Sequence, residues 1–379
     1  MNLFYIANVR LPTEKAHGIQ IIKMCEALAL NDVEVVLLVP YRFKTKEMVN
    51  DRDIFSFYNV KHNFTIRYLP NFDILFLARG KAIWGTVLYL IQEMSFSLFA
   101  FKATMGFRGI VYSRDKVVAF LRGLTNLAVV FEAHDGACRN WFDRLVARKS
   151  KTVVGVSLAV VQSWKELGAQ TVYAPDGVSE EFFNRMSTNQ ARKKLGLPLK
   201  QKIAVYTGSL YSWKGTDIIF RAAKLLPKIH FYVVGGSEVD TDVEGMRKNY
   251  AQITNCQIVG YRPYREMSLW MKAADVLVLT GSRETRKGWE ETSPLKLFEY
   301  MAVGKPIVAA ETPAIREIMS VEEVWFYKPE DIRSLVRQLQ RVLKVKSSGK
   351  VEKAWRKARQ YRWEKRASKI IKALNDTVG

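Results

Sequence analysis

Cysteine and histidine are scarce in this chain of 379 residues. Cys25, Cys138 and Cys256 stand far apart and fit neither a disulfide framework nor a thiolate metal site. His17, His62, His134 and His230 lack the spacing of metal ligands. A reducing compartment and no structural metal are expected. No charged segment followed by an apolar stretch and a cleavage site precedes the strand-like run Leu3 to Val9, so the mature protein is expected to begin near residue 1 in the cytoplasm. No short tandem repeat is present.

A long uninterrupted apolar run is missing too. The nearest is Ala82 to Lys102, broken by Gln92, Glu93 and two serines, which makes it a poor bilayer span. A core helix of an α/β domain is the favoured reading, with a helix lying on a membrane as the other.

Negative charge is the last shortage: 37 acids face 59 lysines and arginines, a formal charge of +22. Residues 341 to 379 alone hold 13 basic side chains against 3 acids. Such a surface suits nucleic acid, anionic lipid or an anionic substrate. Peripheral contact with the inner face of a membrane is the preferred reading over a solvated helix face. Nucleic acid is not expected as a partner, because no nucleic-acid motif accompanies the charge.

What is present is a folded composition, 48% hydrophobic and 25% charged, on a length suited to two domains. Strand-like runs at Leu3 to Val9, Glu34 to Val39, Ile66 to Leu69, Gly109 to Ser113, Val129 to Ala133, Val153 to Val156 and Val172 to Ala174 alternate with helical patterns such as Gly18 to Leu30 and Val117 to Leu124. The second half repeats the rhythm with strands at Ile203 to Thr207, His230 to Val234, Cys256 to Val259, Val276 to Leu279, Pro306 to Ala309 and Glu323 to Phe326. Alternation of this kind predicts right-handed βαβ units, hence two doubly wound parallel sheets, with ligands at the carboxyl ends of the strands.

Glu291 and Glu299 stand eight positions apart in Glu291-Thr-Ser-Pro-Leu-Lys-Leu-Phe-Glu299-Tyr-Met-Ala-Val-Gly304-Lys-Pro306-Ile-Val. The segment reads as a turn, a helix opening near Ser293 and Pro294, Gly304 as a stop and a buried strand. Free amides of Ser293 to Lys296 at the helix start make an anion seat, flanked by two carboxylates that accept from hydroxyl groups. Gly208-Ser-Leu-Tyr-Ser-Trp-Lys214-Gly215 follows the first strand of the second half and opens a helix, a second place for phosphate.

These motifs resemble the Glu-x7-Glu signature and the Gly-Arg-Leu…Lys-Gly segment of retaining glycosyltransferases of family 4, the glycosyl transferases group 1. Pro175-Asp-Gly-Val and Tyr361-Arg-Trp363-Glu-Lys-Arg resemble that family's interdomain crossing and final helix. The likeness is strong from Gly208 to Met319 and weak before residue 128. It implies the GT-B fold, two Rossmann-like domains facing each other across a cleft. Residues 1–177 would meet the acceptor, with the end helix 362–379 packed back on them, and 178–361 would hold the donor.

The resemblance further implies a nucleotide diphosphate sugar, UDP- or GDP-linked, as donor substrate, a glycan or lipid-linked acceptor, no cofactor and no metal. Glu291 would contact the sugar and Glu299 the ribose, with Ser293, Pro294 and Leu295 beside the diphosphate and Gly208, Gly236 and Tyr261 near the nucleotide. Lys214 would neutralise the leaving group. Ser209 stands where the family has Arg, which leaves half of that clamp missing or supplied elsewhere. His134, at the end of Val129-Val-Phe-Glu-Ala-His-Asp, would orient the reacting sugar. Arg10, Lys15, His17 and Gly18 form a loop suited to an anionic acceptor. Asp51-Arg-Asp53 and Asp240-Thr-Asp242 look like metal-holding pairs of a different fold and are not assigned metal. A sugar-nucleotide epimerase and a catalytically silent sugar-nucleotide binder remain as alternatives.

Overall fold

A computed structural model describes residues 1–43, 53–74, 82–125, 127–237, 241–345 and 349–375. Asp51 and Asp240 lie outside them. The chain forms two compact units, Met1–Pro175 with Trp363–Gly379, and Asp176–Arg362.

The first unit carries a seven-stranded sheet of β1 (Asn2–Ile6), β2 (Glu34–Pro40), β3 (Thr65–Leu69), β4 (Ile110–Ser113), β5 (Ala128–Ala133), β6 (Thr152–Gly155) and β7 (Thr171–Tyr173), in the order β3-β2-β1-β4-β5-β6-β7. Every ladder in it is parallel; Leu3 pairs with Val35 on one side and Ile110 on the other. Strands covered on both faces need apolar, β-branched runs, and Val129, Val130, Val153 and Val154 are fully buried.

The second unit holds six parallel strands, β8 (Lys202–Thr207), β9 (Ile229–Val234), β10 (Cys256–Gly260), β11 (Val276–Leu279), β12 (Ile307–Ala310) and β13 (Trp325–Tyr327), in the order β10-β9-β8-β11-β12-β13. In both sheets the first strand of the unit is central and the order reverses beside it. Such a switch point opens a crevice at the carboxyl ends of the strands.

The helix Trp363–Asn375 belongs to the first unit. Its Arg366 is buried and donates through Nε to the carbonyls of Ala174 and Pro175, and Ser368 donates to Asn31 Oδ1 at 2.6 Å. On the second unit's side, Val178 N donates to the Tyr361 carbonyl at 2.8 Å, so the outgoing and returning segments lie next to each other.

The helix Ala82–Ala103 differs from the expected core helix. Phe96 and Ala100 are buried, but so are Gln92, Glu93, Ser95 and Ser97, while Leu90 and Leu98 are more than half exposed. Three of the inward polar side chains have partners at the ends of β1 and β3: Asn8 bonds both Gln92 and Glu93, and Ser95 Oγ accepts from Phe72 N. A run can be apolar overall and still turn its polar residues inward when the neighbouring loops supply hydrogen-bond partners.

Candidate functional site

In the second unit, most of the singled-out residues gather at the carboxyl ends of β8 to β11. Gly208 follows β8, and its N–H donates to the Val234 carbonyl; Gly235 N donates to the Gly260 carbonyl. Gly235 has a φ of +128°, and a Cβ there would collide with the Gly208 carbonyl. Only glycine lets the ends of β8 and β9 close to this distance. Gly236 and Tyr261 flank the same edge.

The helix bearing Glu299 runs Leu295–Ala302 and opens two residues later than the sequence suggests. Pro294 is its N-cap, in an extended conformation, and Ser293 Oγ accepts from Asp176 N at 2.9 Å. A residue ahead of proline is pushed out of the helical region, which accounts for the delay. The anion seat is therefore smaller than expected, because Pro294 has no N–H, and Leu295 and Lys296 supply the first-turn amides.

Tyr300 fixes this helix to the sheet. Its hydroxyl lies 2.7 Å from Thr207 N and accepts that proton, with both residues buried. Glu299, on the neighbouring position, is fully buried, and its Oε2 accepts from Lys296 Nζ at 2.9 Å. Glu291 closes a single wide turn, Lys287–Glu291, and pairs with Arg286 Nε at 3.2 Å. That turn packs on the loop after β8: a Cβ on Gly288 would stand 3.1 Å from the Trp213 ring.

Lys214 sits over the Trp213 ring, Nζ 5.2 Å from its centroid. Burial, followed by the charges of Lys296 and Lys287, lowers its pKa from the ordinary lysine value to about 8. A buried ammonium acted on by other cations is costly to keep charged, and a bound anion would relieve that cost. Lys287 and Lys296 are thus cations near enough to Lys214 to act on its charge, and Lys296 is itself paired with Glu299. Sequence reading missed them as cations because they lie more than seventy positions from Lys214 and show no motif of their own.

His134 belongs to the first unit. It follows β5, and its Nε2 lies 2.6 Å from Glu132 Oε1. Glu132 is almost fully buried and also takes Tyr112 Oη and the Arg366 guanidinium, the latter at 3.3 Å. Burial works against the charge of Glu132, but Arg366 and the His134 hydrogen bond outweigh it and hold the carboxyl well below its usual range. Burial and the nearby Arg114 lower His134 to about 4 in spite of Glu132, so it is neutral near pH 7. Glu132 and Arg366 both lie inside segments the sequence singles out, Val129-Val-Phe-Glu-Ala-His-Asp and Trp363-Glu-Lys-Arg, but their pairing carried no sequence signal.

The loop after β1 is less open to an anion than its composition suggests. Arg10 is bound to Glu14 at 2.9 Å, and burial, then Arg114, lowers His17 to about 3. Gly18 is required by packing, since a Cβ there would collide with the Tyr58 hydroxyl and the Thr13 methyl.

Residues 187–376 match the family described as glycosyl transferases group 1. The chain belongs to this family. A putative teichuronic acid biosynthesis glycosyltransferase, TuaC of Bacillus subtilis, is 26% identical over 206 residues, 53% of this chain and 48% of that protein. A D-inositol 3-phosphate glycosyltransferase of Streptomyces coelicolor is 30% identical over 133 residues, 32% of this chain and 28% of that one. The chain thus spans about half or less of the length of the curated relatives it matches.

Among solved structures, Anabaena Alr3699/HepE in complex with UDP and glucose superposes with a TM-score of 0.73 at 15% identity, covering 99% of this chain and 100% of that one. Sucrose-phosphate synthase from Thermosynechococcus elongatus superposes at 0.76 and 18% identity, with 99% of each chain covered. These likenesses show the fold, GT-B with two Rossmann-like units. Within this glycosyltransferase family member, the matched segment contains Lys214, Glu291 and Glu299, whereas His134 lies outside it.

Proposed function

We propose that this protein is a retaining, metal-independent glycosyltransferase that moves a hexose-type sugar from a nucleotide diphosphate donor to a glycan or lipid-linked acceptor. The observation that carries the reading is Lys214 in the loop after β8, buried and acted on by the charges of Lys296 and Lys287, together with Glu299 buried on the helix that opens at Leu295. A diphosphate fits three ammonium groups and two amides, and its charge grows as the sugar leaves. The lysines supply the neutralisation that a divalent cation provides in other folds.

Glu299 takes the ribose hydroxyls and Glu291 those of the sugar, while Gly208, Ser209, Gly236 and Tyr261 border the nucleotide. The bond from the anomeric carbon to the β-phosphate oxygen breaks, and the acceptor oxygen bonds to the same face of that carbon. The acceptor's proton passes to the departing phosphate. His134, neutral and held by Glu132, orients the sugar. The HepE structures with UDP and with UDP-glucose support a UDP-linked donor over a GDP-linked one. A cytoplasmic setting, with peripheral membrane contact through the basic surface, belongs to the same reading.

The test is a donor panel read by nucleotide diphosphate release, with and without lipid extracts, and with Glu299→Ala as control. Release that needs both an acceptor and Glu299 supports transfer. A modified free sugar without acceptor indicates an epimerase, and tight binding with an intact donor indicates a silent binder. Equal release by the Glu299→Ala variant refutes the site.

A further inference from the structure

The helix Ala82–Ala103 turns an apolar stripe to solvent. Val87, Ile91, Met94 and Leu98 recur at intervals of four, three and four residues, Leu90 lies beside them, and Met105 extends the line; each is more than 40% exposed. This spacing places them on one helix face. Phe72, 60% exposed, is fastened next to the stripe by its N–H to Ser95 Oγ, and Phe43, 71% exposed, is tied to the same loop through Asp73. Soluble proteins rarely leave so continuous an apolar face uncovered.

Charge decides what covers it. From residue 82 to 109 the one acid is Glu93, which is buried against Asn8, while Lys102 and Arg108 are exposed. A second copy of the chain would bring these cations to the contact with no carboxylate of the face to meet them. An anionic phospholipid surface offers acyl chains to the stripe and phosphates to the cations. The helix does not cross the bilayer: its opposite face is committed to the sheet through Gln92, Glu93 and Ser95, and among the described residues no helix is long and apolar enough to span.

We infer that this helix lies flat on an anionic membrane, inserting Leu90, Ile91, Met94 and Leu98 between headgroups, with Phe43 and Phe72 at the rim. Its 22 residues would cover about 33 Å of surface. The inference goes beyond the proposed transfer reaction and does not depend on it, because binding is read without donor or acceptor. It assigns the apolar part of membrane contact to the first unit. Charge alone, on residues 341–375, gives a weaker attachment, since Lys353, Lys357 and Arg366 are already paired with Glu322, Glu323 and Glu132.

The experiment is co-sedimentation of the full chain with extruded vesicles, either pure phosphatidylcholine or an equal mixture with phosphatidylglycerol, alongside light scattering of the free protein. Wild type should bind the mixed vesicles and bind neutral ones weakly. Ile91→Ser combined with Leu98→Ser should lower binding by about tenfold or more without changing the melting temperature, because both side chains are exposed. Lys102→Glu should weaken binding to the mixed vesicles only. Failure of wild type to bind overturns the inference, as does undiminished binding by the double variant. A wild-type dimer that the double variant dissolves overturns it in favour of a second copy.

Discussion

Glu132 and His134, two positions apart at the end of β5, meet at 2.6 Å through Oε1 and Nε2, and the same carboxylate is anchored by Arg366 from the far end of the chain. With His134 neutral and Nε2–H donating to Glu132, its Nδ1 is left as an acceptor. The pair therefore fixes which nitrogen of the imidazole is turned away from Glu132. Under the proposed transfer reaction, Glu132 acts through His134 as a positioning residue.

Removing it has two consequences that can be separated. Glu132→Ala leaves the buried Arg366 without its counter-ion, a loss of about 3–5 kcal/mol of stability. Glu132→Gln also removes that counter-ion but keeps a hydrogen-bond acceptor for His134 and Arg366, so its loss of stability should be smaller. Assayed below both melting temperatures, Glu132→Ala should lower kcat roughly 10- to 100-fold with little change in KM for the donor, and Glu132→Gln should recover part of it. A loss seen only in stability would make the network structural.

The lysine group sets a pH dependence. Lys214 has a pKa of about 8, below the ordinary lysine value because of burial, Lys296 and Lys287. It is charged below pH 8 and neutral above, so affinity for UDP should be level at pH 7 and fall as pH rises past 8. Binding near pH 8 should take up a proton, visible by calorimetry in buffers of different ionisation enthalpy. Lys214→Gln should weaken UDP binding about 10- to 100-fold, as expected for one charge-assisted contact, and abolish the pH dependence. A pH profile identical in the variant would remove Lys214 from the phosphate site.

Tyr300 joins the Glu299 helix to the end of β8. In Tyr300→Phe the buried Thr207 N–H loses its acceptor, which costs about 1–3 kcal/mol. The same change loosens Gly208 and Ser209 relative to Glu299. Donor KM should rise more than kcat falls, because the phenyl ring still fills the core. Unaltered stability and KM would show that the hydrogen bond does not position this loop.

The parallel sheets were legible because their strands are buried on both faces, so Ile203 to Thr207 or Val276 to Leu279 announce themselves as short β-branched or aliphatic runs. The Glu291 and Glu299 spacing was legible because a helix start has a local signature. What stayed hidden was long-range. The companions of Lys214 come from a turn and a helix more than seventy positions away, and Glu132 meets Arg366 across 234 positions. The helix Ala82–Ala103 misled for another reason: its apolarity was plain, but its direction depended on Asn8 and Phe72, whose loops drew the polar side chains inward.

Acid stability follows from the two histidines beside Arg114. His134 has a folded pKa of about 4 and His17 of about 3, both lowered by burial and then by Arg114, against about 6.5 in an unfolded chain. A lowered folded pKa means that the unfolded state binds the proton first. Stability is therefore full above pH 6.5 and declines as pH falls toward 4, by at most about 1.4 kcal/mol per pH unit for each histidine. Glu132, also held below its usual range, adds a loss in the same direction below about pH 4.5. Urea midpoints measured from pH 7.5 to 5 should fall, and His134→Asn should flatten part of that decline while leaving the His17 share. A midpoint unchanged over this range would mean that neither imidazole is kept neutral by the fold.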